Sequence, residues 1–291
     1  MTLIFRHYDR AALDREYNNT AKLSADALKA YRTRWVEESR RARDRLSCVL
    51  DVPYDRGSAE RLDIFRPKAA SLAPVQIYIH GGYWISNDKT DCSYVASGFT
   101  GAGFVTVVID YTLIPKVDMA EQVRQCREAV RWVAANIQNY GGDPERIYVT
   151  GHSAGGHLSV SLLTDLEIVS GRIKGVTSLS GLYDLEPVRL SFNNEKIGLN
   201  ESDVAALSPM QHQPRDTTPR LLLTVGAKEG DEFIRQMSDL ADAWRGRMPR
   251  VVAQIIPGAD HFSMRDGLDD PGTEVCQLIW KAMGVGTTSK N

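Results

Sequence analysis

The sequence predicts an α/β fold: a mostly parallel central sheet covered by helices on both faces. Strand-length apolar runs recur along the chain, Val75–Ile79 and Phe104–Ile109 among them, and amphipathic helical stretches separate them. Parallel strands joined by helical crossovers produce that alternation, because such sheets are buried on both sides. The 291 residues are 43% hydrophobic and 25% charged, the composition of a globular chain that buries a core without disulfides or metals. Lys and Arg number 35 against 37 Asp and Glu, a net charge of -2. That balance lacks the basic excess on which non-specific binding to nucleic acid or anionic membranes depends.

The chain begins with Met1–His7, whose apolar run is too short for a signal-peptide core and is followed at once by charge. Later apolar stretches are strand-length and too short to span a bilayer. A cytoplasmic location is the expectation. Residues 11–46 are rich in charge and lack Pro and Gly. Within them Leu23, Ala27, Tyr31 and Trp35 recur every four residues, which gives a helix with one apolar side. Residues 1–48 are therefore expected to form an N-terminal helical cover. The alternating Arg61–Arg66, closed by Pro67, reads as an early antiparallel edge strand.

Strands are then predicted at Val75–Ile79, Phe104–Ile109, Ile147–Thr150, Gly175–Leu179, Arg220–Val225 and Val251–Ile256. Between them Met119–Asn139 is the clearest helix. Val123, Cys126, Val130 and Val133 share one face, and Gly141-Gly142 follow its end. The stretch Leu182–Pro219 is polar and holds Pro187, Pro209, Pro214 and Pro219. It breaks the alternation and is expected to form a small cap or long excursion, 182–219, on a single domain spanning 1–291. Cys48, Cys92, Cys126 and Cys276 are scattered without a CxxC pair. That spacing predicts free thiols, mostly buried, with no zinc site or disulfide framework.

The chemistry concentrates at four places. Gly151-His152-Ser153-Ala154-Gly155 lies directly after the Ile147–Thr150 strand and before a helix-competent run. This is a GxSxG elbow in its proper strand–turn–helix context, which lifts a serine above the sheet edge. The Ala154 amide then opens the following helix, aimed where an oxyanion would form. Serine needs a base. His261 follows the last strand and the Pro257-Gly258 turn, at the sheet edge that also carries Ser153. His7 and His212 have no comparable placement, His152 and His157 are constrained by the elbow, and His80 is expected to shape its own loop. The third member is expected just past the Arg220–Val225 strand, where Glu229, Asp231 and Glu232 compete. Glu229 is favoured because it comes first; Asp231 and Glu232 suit the first turn of the next helix, where acids favour its dipole. Finally, His80-Gly81-Gly82-Tyr83-Trp84 follows a strand directly. Its glycines let the Gly81 and Gly82 amides approach a reacting carbonyl beside that of Ala154.

These motifs resemble the α/β-hydrolase superfamily, in particular its esterase/lipase branch with an HGG oxyanion loop. Asp110-Tyr111-Thr112-Leu113-Ile114-Pro115 and Gly141–Ile147 are similar to stretches of that branch. Within it the chain most resembles the kynurenine formamidases (arylformamidases). Glu16–Asn19, HGGYW at His80–Trp84, GHSAGGHL at Gly151–Leu158 and Ser180–Pro187 carry the likeness, as do Glu232–Gln236 and Asp260–Phe262. The match spans almost the whole chain, and HGGYW is its most diagnostic piece. One departure stands out: the family commonly has Asp where this chain has Glu229.

The resemblance implies a serine hydrolase with a Ser153–His261–Glu229 triad, acting on a small aryl N-formyl amide or ester. Tyr83, Trp84 and His157 are expected to touch the substrate. Tyr17, Asn18 and the helix over 20–46 are expected, on the family likeness, to cover the entrance. No metal or cofactor is implied. The expected partner is a small neutral to modestly charged molecule, with no nucleic acid or membrane, and the stripe on the cover helix leaves room for a homodimer. A general short-acyl carboxylesterase and a non-catalytic ligand-binding hydrolase fold are the alternatives.

Overall fold

The computed structural model describes residues 2–68, 70–165, 171–248 and 250–285, so both ends of the expected domain lie outside the described residues. The sheet is built from β1 (Ser47–Pro53), β2 (Arg61–Arg66), β3 (Ala73–Ile79), β4 (Val105–Ile109), β5 (Gly142–His152), β6 (Ile173–Leu179), β7 (Arg220–Gly226) and β8 (Val251–Ile256). Their lateral order is β1-β2-β4-β3-β5-β6-β7-β8. β1 and β2 run antiparallel to their neighbours, and every pairing from β4 to β8 is parallel. This is the α/β-hydrolase arrangement.

Alternate residues of the central strands face opposite layers. Ile64, Ile77, Val107, Val149 and Leu223 belong to one core cluster, and Phe65, Tyr78, Val108, Tyr148 and Leu222 to the other. Two buried faces explain why these strands read as continuous apolar runs. The helices that cover them are α1 (Arg10–Tyr17), α2 (Ala25–Arg45), α3 (Val95–Gly101), α4 (Met119–Asn136), α5 (Ala154–Ser161), α6 (Glu186–Arg189), α7 (Asn194–Ile197), α8 (Glu201–Leu207), α9 (Asp231–Arg245), α10 (Ser263–Asp266) and α11 (Glu274–Met283). In α4 the side chain of Asp118 caps the start, Val123, Cys126, Val130 and Val133 are buried, and a 3-10 turn leads to Gly141 at φ 85°. No helix among the described residues is long and apolar enough to cross a membrane. The four cysteines are free, three of them buried.

One expectation needs correction. β2 is not an edge strand, because β1 covers its outer side in antiparallel register. β1 escapes sequence reading because its half-exposed residues do not alternate cleanly. The polar excursion 182–219 also puts Leu182, Tyr183, Leu185, Val188, Ile197, Leu199 and Val204 into the core, so it is more deeply packed than its composition suggests.

The cover is fastened to the two loops that matter most. Tyr17 at the end of α1 donates to Glu232 Oε2 (3.1 Å) and accepts from Gln236 Nε2 (2.8 Å), both on α9. Lys22 donates to the backbone carbonyls of Glu229 and Glu16. From α2, Arg34 pairs with Asp266 (2.6 Å) and Asp269 (2.8 Å), and Tyr31 and Trp35 stack near Phe262. Parallel register aligns Ile79 with Gly151, so β3 and β5 deliver the HGG loop and the serine to the same sheet edge.

Candidate active site

β5 leads straight into Ser153, whose φ of 57° and ψ of -120° are rare for a residue with a side chain. Such strain persists only when the surroundings enforce it. Here the Ser153 amide is held by Leu179 O at 2.8 Å. The following helix α5 passes so close to β3 that a Cβ on Gly155 would lie 2.1 Å from Ile79 O. Glycine is therefore required there, and the turn is driven outward with Ser153 at its apex.

His261 meets the serine from the loop after β8. Its Nε2 lies 3.1 Å from Ser153 Oγ, and its Nδ1 lies 2.6 Å from Glu229 Oε2. A carboxylate accepts only, so Nδ1 carries the proton and Nε2 presents its lone pair to the hydroxyl. Glu229 is fully buried. Its other oxygen accepts from the Gly226 amide (2.7 Å) and the Ser180 hydroxyl (2.5 Å). All three side chains thus join in one hydrogen-bonded line. Asp231 is exposed at the first position of α9, and Glu232 is committed to Tyr17 and Arg235.

The other histidines near the site are occupied. His152 Nε2 donates to the His261 carbonyl at 2.7 Å, and burial holds its imidazole well below the ordinary range, hence neutral. His80 stacks on Tyr111 with ring centroids 4.3 Å apart and lies 2.9 Å from Gly81 O and 3.2 Å from Asp110 Oδ1. It braces the glycine loop. His212 contacts the Ala206 carbonyl, and His7 is exposed.

The loop after β3 turns sharply. Gly82, Tyr83 and Trp84 have φ of 121°, 49° and 61° in succession. At Gly82 a Cβ would fall 2.2 Å from Ser86 O, so only glycine fits. Asn87 Nδ2 holds Gly81 O at 3.0 Å. A Cβ on Gly81 would lie 3.0 Å from that of Ser153, which places this backbone against the serine. Among the described residues no backbone acceptor takes the amides of Gly82 or Ala154, and the first amides of a helix such as α5 have no intrahelical partner. Free donors beside the serine are what an oxyanion needs.

A cavity of about 470 Å³ opens over Ser153 and His261. Tyr17, Asn18 and Trp35 of the cover, Gly82 and Tyr83 of the glycine loop, and Phe192 and Asn193 of the excursion contribute to its wall. Tyr83 also donates to the Tyr17 carbonyl at 2.6 Å, tying loop to cover. Two expected substrate contacts are elsewhere. Trp84 and His157 are fully buried and do not reach the cavity. Trp84 Nε1 donates to His157 Nδ1 (3.3 Å), and His157 Nε2–H donates to Leu207 O (2.8 Å). This chain links the glycine loop, α5 and the excursion; the positive φ at Trp84 turns its indole inward. Burial lowers the His157 pKa to about 4, so the ring stays neutral.

Sequence reasoning gave no role to Ser180 and passed over Arg265. Ser180 holds Glu229 from a strained φ of 54° at the end of β6. A serine after a strand is too common to stand out. Arg265 lines the cavity, and its only sequence signal is a position four residues past His261.

Comparison with known proteins adds a second line. Residues 62–186 match the BD-FAE family. The chain is 31% identical over 272 residues to kynurenine formamidase of Danio rerio, covering 90% of this chain and 92% of that one. It is 31% identical over 293 residues to kynurenine formamidase of Salmo salar, covering 96% and 98%. Among solved structures, a candidate thioesterase from Silicibacter sp. tm1040 superposes with a TM-score of 0.82 at 30% identity, over 92% of this chain and 98% of that one.

Proposed function

The chain belongs to the kynurenine formamidase family of α/β-hydrolases, and we propose that it is a serine hydrolase cleaving a small aryl N-formyl amide or ester. The observation that carries this is the unbroken line from Glu229 through His261 to Ser153 under the cavity. Ser153 Oγ attacks the carbonyl carbon while His261 Nε2 takes its proton. Glu229 keeps His261 in the required tautomer and stabilises the imidazolium without itself being protonated. The negative oxygen is received by the amides of Gly81, Gly82 and Ala154, each donor being worth roughly 3 kcal/mol in the transition state.

As the tetrahedral species collapses, the C–N or C–O bond breaks and His261 gives its proton to the leaving amine or alcohol. The acyl group stays on Ser153. Water then attacks, losing a proton to His261, and the acid is released with Ser153 reprotonated. Trp35, Tyr83, Phe192 and Phe262 supply aromatic wall for an aryl leaving group. We further read the chain as one catalytic domain, since cover and excursion share its core. A second reading is hydrolysis of short-acyl esters; the thioesterase name of the structural relative supports cleavage of an activated acyl bond other than an amide.

Parallel assays of N-formylkynurenine and p-nitrophenyl acetate, with wild type and Ser153→Ala, test the proposal. Turnover that disappears with Ser153 is expected, and the ratio of kcat/KM between the two compounds separates formamidase from esterase. Undiminished hydrolysis by Ser153→Ala would remove the basis of the mechanism.

A further inference from the structure

The cover closes on the loop that carries the triad acid. Helix α9 begins directly after Glu229, with Gly230 at its N-cap and no side-chain cap of its own. Glu16, in the last turn of α1, supplies one from outside the helix. Its Oε2 accepts from the Glu232 amide at 3.1 Å, one of the amides that a helix start leaves unpaired, and its negative charge suits that end of the helix dipole. Lys22, in the 3-10 turn Asn19–Lys22, donates to the Glu229 carbonyl and, at 2.7 Å, to the Glu16 carbonyl. Among the described residues no backbone amide takes the Glu229 carbonyl. Gly230 lies between the two cover residues: at φ 117°, a Cβ on it would fall 2.7 Å from Glu16 Oε2 and 2.9 Å from Lys22 Nζ.

Glu229 is thereby held at both ends. Its carboxylate is fixed by the Gly226 amide, the Ser180 hydroxyl and His261 Nδ1. On the sheet side its own amide donates to Gly226 O at 3.1 Å; on the other side the cover holds its carbonyl. A hydrogen bond from an ammonium is charge-assisted and stronger than one from a neutral donor. The same turn of α9 also sets a wall of the triad. The Phe233 ring packs edge-to-face on His261 with centroids 5.2 Å apart, meets Tyr17 at 5.7 Å and lies 5.8 Å from Lys22 Nζ. Reacting groups tolerate little displacement, since a shift of about 1 Å can cost on the order of 100-fold in rate.

We infer that Lys22, seconded by Glu16, is a positioning residue of the triad: by holding the Glu229 carbonyl from the cover, it keeps the carboxylate in reach of His261. The cover then acts on the chemical step itself, whichever substrate fills the cavity, and does so from 207 positions away in the chain. This rests on the hydrolase reading above and adds a residue to the machinery of the same site.

The test compares wild type with Lys22→Met, which keeps a stem of similar length and loses the donor, and with Lys22→Arg, which keeps a charged donor. Each is assayed on p-nitrophenyl acetate and on a larger N-formyl arylamine, with urea unfolding to show that the fold persists. Lys22→Met is expected to lower kcat by about 10-fold on both compounds with KM within about twofold, the pattern of a lost orienting contact. Lys22→Arg should restore most of that loss. In a Glu229→Gln background, where the carboxylate is already gone, adding Lys22→Met should cost no more than about twofold further, because residues that act as a unit are non-additive. Equal losses in the two backgrounds, a loss confined to KM or to the larger compound, or wild-type kcat in folded Lys22→Met overturns the inference and leaves the hydrolase reading intact. Should Lys22→Met not fold, Glu16→Ala removes the cap alone, and wild-type kcat there tells equally against it. A readout without turnover is the proton resonance of His261 Nδ1–H, which a 2.6 Å bond to a carboxylate places far downfield. It should move upfield or broaden in Lys22→Met, and an unchanged resonance overturns the inference. Should wild type hydrolyse neither compound, the hydrolase reading fails, and the resonance still decides whether Lys22 sets the contact between Glu229 and His261.

Discussion

Replacing Glu229 by Gln isolates what a single buried charge does. The amide is isosteric, and its oxygen can keep the bonds from Gly226 N and Ser180 Oγ that Oε1 accepts now. Its nitrogen must then face His261 Nδ1, where Oε2 stands at 2.6 Å. Two donors cannot meet there, so the imidazole shifts its proton to Nε2, which points at Ser153 Oγ. A protonated Nε2 cannot accept the serine proton, and the imidazolium loses its counter-charge. A loss of ~10⁴-fold in kcat follows, about 5 kcal/mol of transition-state stabilisation. The assay is steady-state hydrolysis of p-nitrophenyl acetate, with urea unfolding to show that the fold persists. Asp231→Asn, on the exposed first residue of α9, should stay within about twofold, as expected for a surface change. Activity of Glu229→Gln within about tenfold of wild type, or an equal loss in Asp231→Asn, would refute the assignment.

Other outcomes follow from the geometry. Gly82→Ala should lower kcat by on the order of 100-fold, because φ of 121° excludes a side chain and the Cβ would meet Ser86 O at 2.2 Å; wild-type kcat in a folded variant would count against that loop's part in the reaction. Tyr17→Phe removes the tie between the cover and α9 and should cost about 1–3 kcal/mol, read as a lower urea midpoint. Acid should weaken the fold: His157 binds its proton near 6.5 when unfolded but only near 4 when folded. Stability is thus complete above the unfolded value and falls as pH drops through that window, by about 3 kcal/mol in all. His152, lowered in the same direction, adds to the loss. Urea curves at pH 7 and 4.5 measure this, and equal midpoints would contradict the burial argument.

The fold class was legible because it depends on local pattern. Strands buried on both faces must be apolar throughout, as in the fully buried β4, and helices such as α4 carry their stripe, cap and terminating glycine in consecutive residues. β1 was not legible, since one half-exposed strand against β2 leaves no clean alternation. At the site, Ser153, His261 and the glycine loop could be read for a similar reason. A sharp turn after a strand demands small residues nearby, and sheet topology carries strand ends to a common edge.

Which side chains face one another was decided only in three dimensions. HGGYW marks an aromatic pair, but successive positive φ values send Tyr83 to the cavity wall and Trp84 inward to His157. Glu229 and Asp231 are two residues apart, and sequence alone ranks them only by distance from the strand. In the structure one is sealed between Ser180, Gly226 and His261, and the other opens a surface helix. Arg265 is one of many arginines in the chain until α2 lays Trp35 over it, and among the described residues no acid forms an ion pair with it. Local sequence thus determined the elements and the chemistry they carry. Long-range packing decided which charges are buried and which are paired, because both depend on neighbours hundreds of residues away, such as Trp35 against Arg265.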